Sequence, residues 1–209
     1  MSWASFHVVE VMSSPKYHLK AVGYLAATQS FGPDTDVLML TTNLLKKVRP
    51  KICFHGSSSQ NCIQDLTSNP NDTAISLNGL SHTISPDLAR DLSHDVVTML
   101  NHSKAHIRKR AVIAVYKTLV KYPEATPFAL TRLKERLEDQ DPGMLFSSIP
   151  PMNLRLIILA VVAATINVLC EMVRRDPTDH LSLAPQLFRL MTTSSNNWML
   201  IKLIKLVSN

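Results

Sequence analysis

The chain has 209 residues, 45% of them hydrophobic and 18% charged, which is material for one domain with a buried core and excludes a disordered tail. Its five glycines, at 23, 32, 56, 79 and 143, are too widely spaced for a phosphate loop, a dinucleotide fingerprint or a nucleophile elbow. The net charge of +6 is a mild bias toward acidic partners, and three cysteines (Cys53, Cys62, Cys170) make an odd, sparse set that suits a reducing compartment better than a secreted disulfide scaffold.

Met1 to Met12 mixes apolar residues with Ser, His and Glu and builds no secretory signal. Pro15 opens a helix over 16–31, in which Leu19, Val22, Gly23, Ala26 and Ala27 share one face while Lys16 and Lys20 lie elsewhere. Pro33 and Asp34 start the next, with Val37, Leu38, Leu40, Leu44 and Leu45 as its apolar positions. Ser85-Pro86-Asp87 predicts a helix amino end: a capping hydroxyl, a proline at the first helical position and an acid in the first turn. That helix carries Leu88, Leu92, Val96, Val97 and Leu100, and further helices are predicted over 105–121, 127–137, 161–175, 180–191 and 197–206. The longest apolar stretch, 156–166, is about half of the ~20 residues a membrane-spanning helix needs, so a soluble protein is expected. Short amphipathic helices joined by Pro-, Ser- or Asn-bearing turns are an all-α pattern.

An internal repeat sharpens it. Leu100 to Pro123 reads as a polar turn, a helix and a Tyr-Pro ending; from Leu137 a second polar turn begins, and after residues 144–160 the chain resumes as VVAATINVLCEMVRRDP, ending at Pro177. An earlier copy pairs His18 with His106, Leu19 with Ile107 and Lys20 with Arg108, and a weaker one lies in NNWMLIKLIKL. Repeats of this size predict a right-handed α-solenoid of HEAT/armadillo-like helix pairs, each pair burying its apolar faces against its neighbours.

Two segments interrupt the repeat, 48–64 and 144–160, each 17 residues long and together carrying three cations and no acid. The first begins Val48-Arg49 and ends at Gln64, as a translated intron bounded by GT and CAG would; Val207-Ser208-Asn209 fits a third one read into a stop. Both are expected to be non-native inserts from unspliced introns, with genuine loop insertions as the alternative. Setting them aside, residues 1–209 form part of one helical-repeat domain.

The strongest local feature is the run Lys104, Arg108, Lys109 and Arg110, continued by Lys117 and Lys121, with no acid among them. Such a helix suits phosphate groups of a lipid head, an acidic peptide or nucleic acid, or else is a solvated surface. No aromatic residue interleaves the cluster, which disfavours single-stranded nucleic acid. His102 and His106 have metal-ligand spacing but cationic neighbours, and Cys53 and Cys62 lack a second pair, so no metal site is expected. Glu135, Glu138, Asp139 and Asp141 alternate with Arg132, Lys134 and Arg136, as in surface salt-bridging. Trp198, Met199, Leu200 and Ile201 are expected in the core, or else docking a partner helix. No nucleophile, base and orienting group come together by sequence, so neither catalytic residue nor cofactor is expected; a helical hydrolase would require one.

The stretches SWASFHVVEVMSSPKYHLKAVGYLAATQSF, DTDVLMLTTNLLKK, DLTSNPNDTAISLNGL, SPDLARDLSHDVVTMLNHSKAHIRKRAV, YKTLVKYPEA, RLKERLEDQDPG and LCEMVRRDPTDHLSLAPQLFRLMTTSSNNWMLIKLIKL, in this order, resemble the amino-terminal trunk of adaptin large subunits. They cover nearly all of the chain outside the two interruptions. The resemblance implies a curved solenoid that catalyses nothing and assembles with a second large chain, a medium chain and a small chain into a coat adaptor, recruited to Golgi or endosomal membranes by a small GTPase and acidic lipid. It also implies that the chain starts and stops inside helix pairs, without hinge or ear. The alternative is a free-standing HEAT/armadillo-like binding module for an acidic peptide, lipid or nucleic acid.

Overall fold

The computed structural model describes residues 2–32, 35, 37–45, 69–138, 152–175, 178–194 and 196–207; the interruption at 48–64 and residues 144–151 of the second lie outside them. Ten α-helices run through the described residues: α1 (Ser5–Met12), α2 (Tyr17–Ser30), α3 (Leu38–Leu45), α4 (Pro70–Thr83), α5 (Pro86–Thr98), α6 (Ala105–Lys121), α7 (Thr126–Glu138), α8 (Met152–Arg175), α9 (Ala184–Thr193) and α10 (Asn197–Val207). No strand occurs among the described residues.

The helices form two layers. In one, α2, α4, α6, α8 and α10 follow one another, each packed on the next; α1 packs against α2. In the other, α3 packs on α5, and α5, α7 and α9 back onto α6, α8 and α10 respectively. One continuous apolar core runs from Met12 through Leu80, Leu92, Ile107, Leu133 and Leu169 to Leu203. This is the all-α solenoid: apolar faces are satisfied repeat by repeat, with no single central nucleus.

Local chemistry explains most boundaries. At α5 the Ser85 side chain accepts a hydrogen bond from the Leu88 N–H at 3.3 Å, Pro86 occupies the first turn, and Asp87 pairs with Arg90 at 3.3 Å. Leu88, Leu92, Val96, Val97 and Leu100 are all buried, as their spacing requires. Ser85→Ala removes the cap acceptor, and a loss of about 1 kcal/mol is expected in urea denaturation, with Ser85→Asp close to the parent.

The repeat is visible in three dimensions. Lys16 and Lys104 stand at equivalent helix starts with nearly the same extended backbone (φ −85°, ψ 118° and φ −87°, ψ 122°). Gly23, Tyr24 and Ala27 of α2 are buried, as are their counterparts Ala111, Val112 and Val115 of α6. From Val161 onward α8 repeats α6 as well: Ile107, Ala111, Val112, Ala114, Val115 and Thr118 match Val161, Thr165, Ile166, Val168, Leu169 and Met172, every one buried. Yet α8 begins at Met152, nine residues before the Val161 start that periodicity gives, so it takes in the last nine residues of the second interruption.

Two readings of apolar faces need correction. On α2, Leu19, Val22 and Leu25 are solvent-exposed, and Lys20 is buried with 1% of its surface accessible. The cause is Asp72 on α4: its Oδ2 lies 3.4 Å from Lys20 Nζ, so the ammonium is held inside the α2–α4 interface. At α3, Val37 just before the helix and Leu38 and Leu45 within it are buried, but Leu40 is exposed.

Two helices, α1 and α4, are absent from the sequence-derived pattern. Glycines make room for close approach at both. A Cβ on Gly23 would lie 2.6 Å from the Met12 backbone nitrogen, and one on Gly79 would fall onto the Tyr24 ring. Here the helices approach backbone to side chain or backbone to backbone, beside the apolar contacts of Met12, Tyr24, Leu77 and Leu80.

Candidate functional site

The basic run of α6 is split by the helix geometry. Ile107, Ala111, Ala114, Val115 and Thr118 face inward, which leaves Lys109, Arg110, Lys117 and Lys121 on the exposed side, with Lys104 exposed just before the first turn. Arg108 faces away from them. Its Nη1 donates to the carbonyl oxygens of His102 and Ser103, both at 2.8 Å, so it ties the incoming loop to the helix and is half-buried. Five of the six candidate cations are therefore outward, and the sixth has a structural role.

Apolar residues lie among them. Ile113 and Val120 are exposed on the same helix, and Tyr116 is half-buried beside them. The Arg175 guanidinium of α8 stands 5.8 Å from the centre of the Tyr116 ring and donates to its hydroxyl at 3.4 Å. Tyr116 therefore does interleave the basic stripe between Arg110 and Lys117, against the expectation that no aromatic would; its sequence signal is its place seven residues after Lys109, one full double turn along the same face.

The histidine pair does not converge on an ion. His102 Nδ1 accepts the Lys104 N–H at 3.0 Å and so acts as a turn acceptor. Burial first, then the charges of His106, Lys104 and Arg108, lower the His102 pKa below 6.5. Because the folded-state value is depressed, folding favours neutral His102: its contribution is full above the unfolded value and is lost as pH falls through 6.5 toward the folded one. Unfolding free energy is accordingly expected to decline between pH 7.5 and pH 5.5, and His102→Asn, which keeps a turn acceptor without a titrating ring, should flatten that slope in denaturation series at the two pH values.

Among the described residues no group of three or more His, Cys, Asp or Glu side chains gathers for a metal. Burial pushes the Cys170 thiol up, opposite to an activated nucleophile, and its Sγ faces the Lys202 carbonyl oxygen at 4.0 Å. Cys53, Cys62, Asp139 and Asp141 lie outside the described residues. On α7 the Arg132 guanidinium pairs with Glu135 at 3.1 Å, one turn apart and about 40% exposed, a surface pair worth well under about 1 kcal/mol. The residues 198–201 divide: Met199 is buried and Leu200 half-buried, whereas Trp198 and Ile201 are each 52% exposed.

What this arrangement can do is bind. An outward stripe of cations, exposed apolar residues in the 3-10 turn before α1 (Trp3) and on α1, α2 and α10 (Phe6, Val22, Leu25, Trp198, Ile204) and a stack with open ridges are the parts of a docking scaffold. Among the described residues no helix is long and apolar enough to cross a membrane.

Comparison with known proteins agrees with this architecture. Residues 1–209 match the family model described as the adaptin N terminal region. The chain is 46% identical over 207 residues to the AP-3 complex subunit delta-1 of Bos taurus, covering 99% of this chain and 14% of the relative. It is 46% identical over 209 residues to the AP-3 complex subunit delta of Schizosaccharomyces pombe, covering all of this chain and 21% of that one. A homology model of the full-length AP-3 complex in an intermediate open conformation superposes with a TM-score of 0.71 at 36% identity, over 99% of this chain and 31% of its counterpart. The chain thus spans about a seventh to a fifth of these curated relatives. By sequence along its whole length and by the course of its helical stack, it belongs to the adaptin N-terminal family.

Proposed function

We propose that this chain is a non-enzymatic scaffold segment of the AP-3 delta class, working in a coat adaptor that carries proteins from Golgi or endosome toward vacuole or lysosome. The observation that carries the reading is the match of 99% of this chain to a chain of the AP-3 complex at 36% identity and a TM-score of 0.71. The mechanism is one of shape. The α2–α4–α6–α8–α10 layer and the edges of the stack hold a second large, a medium and a small chain, and Lys104, Lys109, Arg110, Lys117 and Lys121 meet acidic lipid or an acidic face of a small GTPase. The protein works on the cytoplasmic side, at the membrane surface.

The test is recovery from cells. A tagged chain expressed in a fungal host should bring down the small and medium adaptor chains. If the folded chain recovers none of them, and its partners are instead acidic and released by moderate salt, the free-standing module replaces the adaptor reading.

We infer further that segments 48–64 and 144–160 are not part of the cellular repeat. What supports this is the return of the α6 burial pattern at Val161, immediately after the second interruption. Sequencing the spliced transcript decides it: both segments should be absent from most copies, and their presence would make them loop insertions.

A further inference from the structure

Where the carboxyl ends of α6 and α8 meet the start of α7, the two layers leave a small cavity of about 110 Å³. Its apolar lining comes from Leu119 and Val120 of α6, Pro123 of the turn before α7 and Met172 of α8. Its polar lining comes from four separate segments: Tyr116 of α6, Thr126 of α7, Arg175 of α8, and His180 in the 3-10 turn Thr178–Leu183 that precedes α9. None of the cations assigned above to lipid or GTPase lines it.

His180 marks the cavity as a site. Only 5% of the residue is accessible, yet its Nδ1 has no hydrogen-bond partner among the described residues. A buried polar atom left unmet costs free energy until something pairs with it. The ring lines the cavity, and the soft torsion at its χ2 lets that nitrogen turn toward an occupant. Beside it stands a guanidinium with N–H groups to spare: Arg175 has five, and one of them serves the Tyr116 hydroxyl at 3.4 Å.

The electrostatics choose an anion. Among the described residues that line the cavity none is acidic, and Arg175 carries a full positive charge. Glu124, in the turn before α7, has its carboxylate engaged by the Tyr122 hydroxyl at 2.8 Å. The carboxyl ends of α6 and α8 bring about half a negative charge each, and Lys121 and Arg175 in those last turns outweigh the two together. The amino end of α7, with the opposite partial charge, opens at the same place, since Thr126 is its first residue. By size the cavity takes about four waters at ~30 Å³ each, or one tetrahedral oxyanion. An apolar guest would leave His180 unmet, and a cation would meet Arg175.

We propose that this cavity binds one phosphoryl group, its oxygens accepting from Arg175, Tyr116, Thr126 and His180. The group is free phosphate or the head of a small soluble phosphate ester. Once bound, it joins α6, α7, α8 and the turn before α9, and so braces the two layers against each other at one point. The site stands or falls independently of the adaptor reading, because phosphate binding is measured on the chain alone.

The probe is orthophosphate, titrated into the full chain at constant ionic strength. The imidazole nitrogen resonances of His180 should move saturably, and equilibrium dialysis should count one ion per chain. Arg175→Gln, an exposed position, and His180→Leu should each weaken phosphate binding about tenfold or more, and Thr126→Val about threefold, with circular dichroism unchanged. Arg90→Gln, which removes an exposed guanidinium of α5, should have no effect. Displacement of the ion by glycerol phosphate supports the proposal with an ester as occupant, and failure to displace supports it with the free ion. Absence of saturable binding overturns the proposal and leaves a cavity filled by water. So does binding that leaves the His180 resonances unmoved, or that Arg90→Gln weakens as much as Arg175→Gln, since either places the phosphate on diffuse surface charge.

Discussion

Asp72→Ala is expected to be among the most damaging single changes in the chain, costing about 3 kcal/mol in urea denaturation. Lys20 has 1% of its side chain accessible, and Asp72 13%, so water reaches the carboxylate slightly and the ammonium hardly at all. Removing the carboxylate leaves the ammonium inside the α2–α4 interface with much of its compensation gone. At this chain length such a loss lowers the melting temperature by roughly 6–12 °C. Asp72→Asn keeps an acceptor at the same place and should lose less. The double change Lys20→Met with Asp72→Leu removes both charges and retains apolar bulk, and it should recover most or all of the stability, because a buried ion pair seldom outperforms a packed apolar one. A cost below about 1 kcal/mol for Asp72→Ala would mean that the pair is wet in solution.

The same pair marks where sequence reasoning misplaced the inside of the molecule. Leu19, Val22 and Ala26 form the greasier face of α2, and periodicity takes the greasier face to be the buried one. Here the selecting factor is size. Gly23, Ala27 and the flat Tyr24 ring let α2 approach α1 and α4 closely, and Lys20 fits because α4 supplies its counter-charge. The partner lies 52 residues away, a separation that a helical wheel drawn on one segment cannot register.

α4 was hidden for a related reason. Its buried side mixes Ala74, Leu77 and Leu80 with Asp72, Thr73, Ser76, Gly79 and Ser81, small or polar residues that suit a thin contact surface but dilute the apolar periodicity. The hydroxyls are accommodated by donating back to their own helix: Ser76 to the Thr73 carbonyl at 3.0 Å and Ser81 to that of Asn78 at 2.7 Å. By contrast α5, α6, α7 and α10 were legible nearly to the residue, since mostly aliphatic residues supply their inward faces, and prolines, a capping serine or, at α10, the Asn196 side chain mark ends. The basic stripe was legible as composition, while its division was not. Arg108 differs from Lys109 only in which side of α6 it occupies, and the two loop carbonyls that it satisfies come from tertiary placement of the 102–104 turn.

Gly23→Val tests the close approach directly and should cost about 3 kcal/mol or detach α1 altogether. An added Cβ would lie 2.6 Å from Met12 N and 2.9 Å from both Met12 Cα and Val11 C, all backbone atoms that no rotamer change can move. Relief requires α1 to shift as a body, which opens its packing on α2 at Ser5 and Met12, its two buried residues. The better helix propensity of valine over glycine returns only about 0.5 kcal/mol. Gly32→Ala is the control: the nearest atom its Cβ meets is Thr35 Oγ1 at 4.0 Å, and stability should stay within about 0.5 kcal/mol of the parent. Hydrogen exchange separates local from global loss. In Gly23→Val the amides of α1 should exchange near the unfolded rate while those of α6 keep their protection, because units in a stack of this kind support only their neighbours and α1 packs on α2, not on α6. Unchanged protection of α1 would place α1 farther from α2 than the 2.6 Å contact allows. Loss of protection in α6 as well would make the stack a single cooperative unit that α1 holds together.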